Sequence, residues 1–434
     1  MTRATTSPRT VPYRWLVFSL LGLAYFFANF HRVSPAVVAV DLMRDLSADA
    51  TLLGFLASAY FYAYALMQLP AGLLSDSWGP RRLVTVFTLL AGAASICFGL
   101  SATAGQAIAS RVFVGMGVAM LFVPTAKILT CWFKRSEFVF MTSVIMVISG
   151  LGLLSASAPL AYLNKLLGWR SSFVVIGAVT LVLAVVIWLS VRNRPEELGF
   201  PAPEDPEPST APGQASLNIP LFTGMKMVLS RHSFWPLALW FFCTSSIFFS
   251  FIGLWGGPYM RDVYKMDPSR AGEALSMASL AIIFGSLVIS FISERVVKSR
   301  KKILIFASSC NLIMTALLAF FTADMPPVVL WFLCAGFGVF SSTVAPIATT
   351  QAKELFPLSI AGTAVGTINL FPFLGAAVIQ PLVGYVLDLY GSAGGSYSAE
   401  AYSRGFTVLF IISVTAFIAV FFTEETIKRR QEVK

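Results

Sequence analysis

The chain divides into about twelve apolar runs of roughly 20 residues, and one run of that length crosses a hydrocarbon core about 30 Å thick. The runs fall at 15–39, 52–75, 83–101, 106–130, 138–162, 170–191, 234–259, 270–293, 303–322, 327–350, 359–386 and 405–423. Inside lipid a backbone finds no water to bond, so segments this long and uniformly apolar must close their own hydrogen bonds as helices. Composition agrees: 57% of residues are hydrophobic and 12% charged, where a soluble chain carries about 25% charge. The expectation is an all-α membrane protein with twelve transmembrane helices. The first run is too long for a signal-peptide core and has no cleavage site, so it reads as retained.

The net charge of +10 follows topology, and nucleic acid is not an expected partner. With the N-terminus inside, one face receives Arg3, Arg9, Arg14, Arg81, Arg82, Lys134, Arg135, Arg192, Arg194, Lys226, Arg231, Arg295, Lys298, Arg300, Lys301, Lys302, Lys353 and the tail from Lys428 to Lys434. The other face has Arg44, Lys165, Arg170, Arg261, Lys265, Arg270 and Arg404. This excess of basic residues places both termini in the cytoplasm. Cys97, Cys131, Cys243, Cys310 and Cys334 lie scattered in helices without a CxxC, and read as buried small apolar side chains rather than disulfides or metal ligands.

One break divides the chain. Residues 192–232 open with RNRPEELG, pass through PAPEDPEPSTAPGQAS and close with an amphipathic stretch around Lys226. Proline and acid without periodicity make a linker, and the amphipathic stretch suits the cytoplasmic interface. The predicted organisation is a tail at 1–14, a six-helix bundle at 15–191, the linker at 192–232, a second six-helix bundle at 233–423 and a tail at 424–434. The halves echo each other: Pro35 answers Pro258, Asp76 answers Glu294, Arg81 and Arg82 answer Lys301 and Lys302, and Pro124 answers Pro346. Internal repeats with a site at their midplane interface are a common build for secondary transporters.

Two motifs carry a resemblance. Gly72, Leu74, Asp76, Gly79 and Arg81 fit GxLxDxxGxR, and Arg111, Gly115 and Gly117 fit RxxxGxG. Both patterns are similar to the major facilitator superfamily, as are the span number, the central linker and the repeat from Tyr13 to Thr423. The resemblance implies two pseudo-symmetric six-helix bundles that rock about a central cavity. It also implies a cytoplasmic charge network of Asp76, Arg81 and Arg82, echoed at Glu294, that latches one conformation, and a switching role for Arg111 within its bundle. The segments NFHRVSPAVVAVDLMRDL and SAYFYAYALMQLPAGLLSD resemble the organophosphate and sugar-phosphate permease branch, where an arginine of the first helix binds the anionic group. That role is carried over to Arg32. The branch commonly has a second arginine in the seventh helix; here the answering position is near Trp255, with no basic residue in that span. A monoanion, or an amphiphile with one acidic group, therefore suits the site better than a phosphate dianion.

A charged group at a helix centre costs about 2.5–3.5 kcal/mol on insertion scales, so those that persist usually face a cavity. His31, Arg32, Arg111 and Lys127 are such groups, and no carboxylate lies near a midplane. Tyr25, Asn29 and Arg32 recur at spacings of 4 and 3 and share one face. Arg32 brings a permanently charged fork suited to carboxylate or phosphate, unless it snorkels to the outer headgroups. His31 titrates near neutrality and is the candidate proton-coupling group, against a neutral hydrogen-bonding role. Lys127 either completes an anion site or snorkels inward. Tyr60, Tyr64 and Gln68 share a face of the second helix, and Asn369, Phe373 and Gln380 one of the eleventh. From these, Gln68 and Asn369 join the candidate binding set because a lipid-facing amide would be unpaired, and Tyr64 and Gln380 join them on the same faces, with packing as the alternative for the tyrosine.

The fifth span lacks the GxxxGP pattern of proton-drug antiporters. The eighth and eleventh lack the basic residues that oxalate-formate exchangers use. No DDxxD, HEXXH or nucleophile elbow appears, so an enzyme is not expected. The sequence reads as a secondary active transporter, of symporter type, for a small organic anion or anionic amphiphile in a bacterial inner membrane. It is expected to work as a monomer with no cofactor and no metal. The alternatives are a transporter-like receptor for such a solute, or a carrier of a neutral or zwitterionic metabolite.

Overall fold

The computed structural model describes residues 10–201, 221–292, 296–393 and 396–426. Among the described residues, seventeen helices compose twelve spans and one more lies at the interface. Span 1 is α1 (Thr10–Val33) with α2 (Pro35–Asp45); spans 2 and 3 are α3 (Ala50–Ser77) and α4 (Pro80–Gly99). Span 4 is α5 (Ala104–Ala119) with α6 (Phe122–Trp132), and span 5 is α7 (Arg135–Ser155) with the start of α8 (Ala158–Ser190). Gly168, at φ 76°, breaks α8 and starts span 6. An interfacial helix, α9 (Leu221–Leu229), precedes span 7, which is α10 (Phe234–Ser250), a π turn and α11 (Gly256–Asp262). Spans 8 and 9 are α12 (Pro268–Phe291) and α13 (Arg300–Phe320). Span 10 joins α14 (Pro327–Phe337) to α15 (Ala345–Glu354) through a second π turn, span 11 joins α16 (Leu358–Ile368) to α17 (Leu370–Leu389), and span 12 is α18 (Ala399–Phe421). Before α18 lies a short hairpin of β1 (Ser392–Ala393) and β2 (Ser396–Tyr397).

The interruptions obey the repeat. Spans 1, 4 and 5 are broken, and so are their counterparts 7, 10 and 11; each restarted helix carries a proline within its first three residues. Those prolines are Pro35, Pro124, Pro159, Pro258, Pro346 and Pro372. Proline lacks the N–H of the helical ladder and its ring clashes with the carbonyl four residues back, so a bend forms just ahead of it. Polar caps start several of the spans: Asp49, Thr103, Asp267, Ser299 and Ser398 accept from backbone N–H groups of α3, α5, α12, α13 and α18.

The first and last described residues, Thr10 and Thr426, lie on one face, as an even number of spans requires. In the half of the molecule away from that face, both bundles share one core, which joins Val37 and Leu53 to Phe251, Trp255 and Leu387. Backbones touch there: a Cβ at Gly257 would stand 2.1 Å from the Ala36 carbonyl oxygen, and one at Gly384 2.3 Å from that of Ala50. In the half nearer the termini there are two cores, one around Phe18 and Trp132, the other around Phe234 and Trp240. A Cβ at Gly362 or Gly366 of α16 would meet open space. The bundles therefore converge at the far face and part towards the terminus face.

Cys243 and Cys334 are buried, as expected, but Cys97 is exposed on its helix. In a membrane span an exposed apolar side chain faces lipid, so burial is not needed to keep a thiol from water.

Candidate functional site

Where the bundles part, a cavity of about 530 Å³ opens between them. Its closed end is an aromatic layer: Tyr64 packs on Phe373 with ring centroids 4.3 Å apart, and Phe61 and Phe249 fall 5.0 Å apart beside them. Two of these rings come from α3 and two from the C-terminal half, so the layer seals the seam between bundles. The Arg32 guanidinium lies over this seam, 5.1 Å from the Tyr64 centroid and 5.2 Å from that of Phe373. Cation–π contacts of this kind contribute about 2 kcal/mol or more when desolvated. They hold the guanidinium on the cavity wall instead of letting it snorkel.

Of the predicted set, Tyr25, Arg32, Tyr64, Gln68 and Asn369 all line this cavity. Gln68 and Asn369 each sit about one turn from the Tyr64–Phe373 contact, on opposite bundles. Ser245, Ser341, Ser342 and Thr349 add hydroxyls from spans 7 and 10. Sequence reading passed over these four, because serine and threonine are common in apolar spans; the π turns around Ser341 and beyond Ser245 are what bring them inward. Among the described residues around the cavity, Arg32 is the charged one.

Two predicted residues stand elsewhere. Asn29 shares the helix face of Tyr25 and Arg32, but its amide donates to the Tyr25 carbonyl at 3.0 Å, as a buried amide in an apolar bundle does. Gln380 is fully buried and donates to the Phe249 carbonyl at 2.9 Å. It shares a face with Asn369 but lies eleven positions on, past the aromatic layer and outside the cavity.

His31, Arg111 and Lys127 are also outside the lining. His31 is buried with its ring edge-on to Phe30 and beside Phe173. Arg111 donates to the His31 carbonyl at 2.9 Å and lies 4.8 Å from the Tyr60 centroid, so it ties span 4 to spans 1 and 2 within one bundle. The motif's Gly115 allows that approach: a Cβ there would stand 2.4 Å from the Tyr60 carbonyl oxygen. Lys127 donates to the Ser75 carbonyl at the end of α3, at 3.3 Å.

At the terminus face, the Arg81 guanidinium stacks 4.4 Å from the Trp188 centroid and donates to the Trp188 carbonyl, while its amide N–H meets Asn193 at 2.9 Å. Trp188 belongs to its own bundle and Asn193 to the start of the linker that leaves it. Arg82 is exposed. The side chain of Asp76 and the whole of Glu294 lie outside the described residues.

The sequence profile of the Major Facilitator Superfamily matches residues 17–380. The chain belongs to that superfamily. Membership makes it a multi-pass membrane transporter with the twelve-helix fold of two bundles. Among its relatives is a probable hexose phosphate transport protein of Chlamydia trachomatis, 23% identical over 88% of this chain and 87% of that one. Another is a membrane sensor protein of Escherichia coli, 25% identical over 86% of this chain and 85% of that one. A bacterial homologue of the human lysosomal transporter Spinster, solved in an inward-facing and unoccupied conformation, superposes with a TM-score of 0.74 at 18% identity, over 95% of this chain and 96% of that one. Relatives of the anion-permease kind accord with the branch that the first two helices resemble.

Proposed function

We propose that this superfamily member carries a small organic anion across a bacterial inner membrane by alternating access, with Arg32 as the anchor. The observation that carries this reading is the single guanidinium held at the seam of the two bundles by a ring from each. An anion bound there meets opposite charge in a low-dielectric site, flanked by Tyr25, Tyr64, Gln68 and Asn369. The name of the hexose phosphate relative supports the anionic class. With one guanidinium, a monoanion is neutralised and a dianion is not, which favours carboxylate-type cargo. We place the terminus face in the cytoplasm on its basic excess, so the described state is inward-open. We take the bundles as 15–191 and 233–423, with Asp76, Arg81 and Arg82 as an inner latch. Proton symport is the coupling we assign, and His31 its candidate group.

Counterflow in proteoliposomes against phosphorylated, carboxylated and zwitterionic solutes, with and without a pH gradient, tests this. Arg32→Ala should abolish anion counterflow while the protein stays folded. Unchanged transport would remove Arg32 from the site. The sensor relative motivates one rival, and saturable binding without counterflow would establish it.

A further inference from the structure

The far face holds a contact that neither motif covers. Asp388, at the end of α17, reaches across to the first turn of α3. One carboxylate oxygen accepts from the Thr51 N–H at 2.7 Å and the Thr51 hydroxyl at 2.5 Å. The other accepts from the Ala50 N–H at 3.0 Å and the Tyr397 hydroxyl at 2.5 Å. Asp49 satisfies the next amide, Leu52, at 2.7 Å. The first three N–H groups of α3 are thus all satisfied, two of them by a carboxylate from the opposite bundle. A helix N-terminus carries unpaired donors and a partial positive charge, and an anion there is stabilised by both.

Tyr397 fixes the carboxylate from behind. Its backbone N–H bonds Asp262 at the end of α11, 3.2 Å away, and Asp262 also accepts from the Tyr402 hydroxyl at 2.8 Å. Burial first, and then the Asp388 carboxylate, raise the Tyr397 phenol well above its ordinary value, so it remains a donor. The hairpin between spans 11 and 12 thereby serves as a bracket that aims Asp388 at α3.

We propose that Asp388 is the gating residue of the far side: its carboxylate caps α3 from the opposite bundle, and this cap must break each time the far side opens. Other capping carboxylates on this face, such as Asp267 on the Arg270 N–H, act within one bundle. The hydrogen bonds that Asp388 accepts all come from the partner bundle or the bracket, so its loss changes the balance between states more than the fold of either bundle.

The test is a distance measurement between spin labels at Ala102→Cys and Asp324→Cys, exposed far-face loops of opposite bundles, with the five native cysteines replaced. Asp388→Ala should raise the ratio of long to short distances at least about tenfold, equivalent to about 1.4 kcal/mol. Thr51→Val, which removes one donor and keeps the helix, should move the ratio the same way by a smaller factor. Asp267→Asn should leave it unchanged. A folded Asp388→Ala protein with an unaltered distribution would overturn the proposal. Should that variant fail to fold, an unaltered distribution in Thr51→Val would overturn it equally.

Discussion

Gly257→Ala tests the claim that the far side closes by backbone contact. The added Cβ would stand 2.1 Å from the Ala36 carbonyl oxygen, where 3.4 Å begins ordinary contact, so α2 and α11 must separate by about 1.3 Å (3.4 − 2.1) to admit it. The obstructing atom is backbone, so no rotamer change relieves it. A gap of 0.5–1 Å already forfeits a quarter to a half of the dispersion between facing atoms, and overpacking typically costs about 1–3 kcal/mol. The cost falls on the far-closed state alone, because once the bundles part there the methyl meets solvent. The equilibrium should therefore move towards far-side opening by a factor of about 5–150. The assay is the labelling rate of Val37→Cys, buried in the shared core beside Ala36, by a membrane-impermeant maleimide applied from the far side. A rise within that range is expected, with a loss of thermal stability no larger than the same roughly 1–3 kcal/mol. An unchanged rate in folded protein would show that α2 and α11 do not separate during transport, and the inferred motion would be wrong.

Two further outcomes follow from the contacts. Phe373→Leu removes the ring that the opposite bundle offers to Arg32, and should raise the transport KM by about 2- to 30-fold, from the roughly 0.5–2 kcal/mol of a cation–π contact; Tyr64→Phe keeps its ring and should change KM little. Glu354→Ala leaves the Arg300 guanidinium, 5% exposed and held by two bonds of 2.9 Å, without its partner, and thermal unfolding should show a loss of about 3–5 kcal/mol. Glu137→Ala loses both a part-exposed bridge to Arg14 and a cap on the Lys134 N–H at 3.0 Å, and should cost less, about 1–2 kcal/mol.

The spans and the repeat were legible because lipid imposes a length and proline imposes a break; Pro35 with Pro258 and Pro124 with Pro346 can be paired by eye. Pro159 with Pro372 escaped, since the glycine patterns around them differ. Helical spacing also put Tyr25 and Arg32, and Tyr64 and Gln68, on shared faces that the structure turns towards one cavity. Spacing gives a face but not a depth, which is why Gln380 read like Asn369 and lies beyond the aromatic layer. The partnership of Asp388 with Thr51 has no local signal at all, because it joins residues 337 positions apart.

Three buried polar groups outside the cavity lining share one role, and that role singles out Arg32. Pro35 has no N–H for the carbonyl of His31, four residues back, and Arg111 supplies the missing donor. Gln380 donates to the Phe249 carbonyl just ahead of the π turn in span 7, and Asn311 to the Phe340 carbonyl within the π turn of span 10, at 3.0 Å. A guanidinium and two amides thus hold the bends of spans 1, 7 and 10, where a carbonyl left bare in an apolar interior would cost about 1–3 kcal/mol. Such bends bring the cavity-facing hydroxyls inward, so these side chains shape the site without touching cargo. Arg32, by contrast, donates to no backbone carbonyl among the described residues; it is held by the rings of Tyr64 and Phe373 and by a side-chain hydrogen bond with Tyr60, and its remaining N–H groups are left to an incoming acceptor. A guanidinium stacked on rings and not committed to a backbone carbonyl is arranged for an anion, and its place on the seam makes that anion a contact of both bundles.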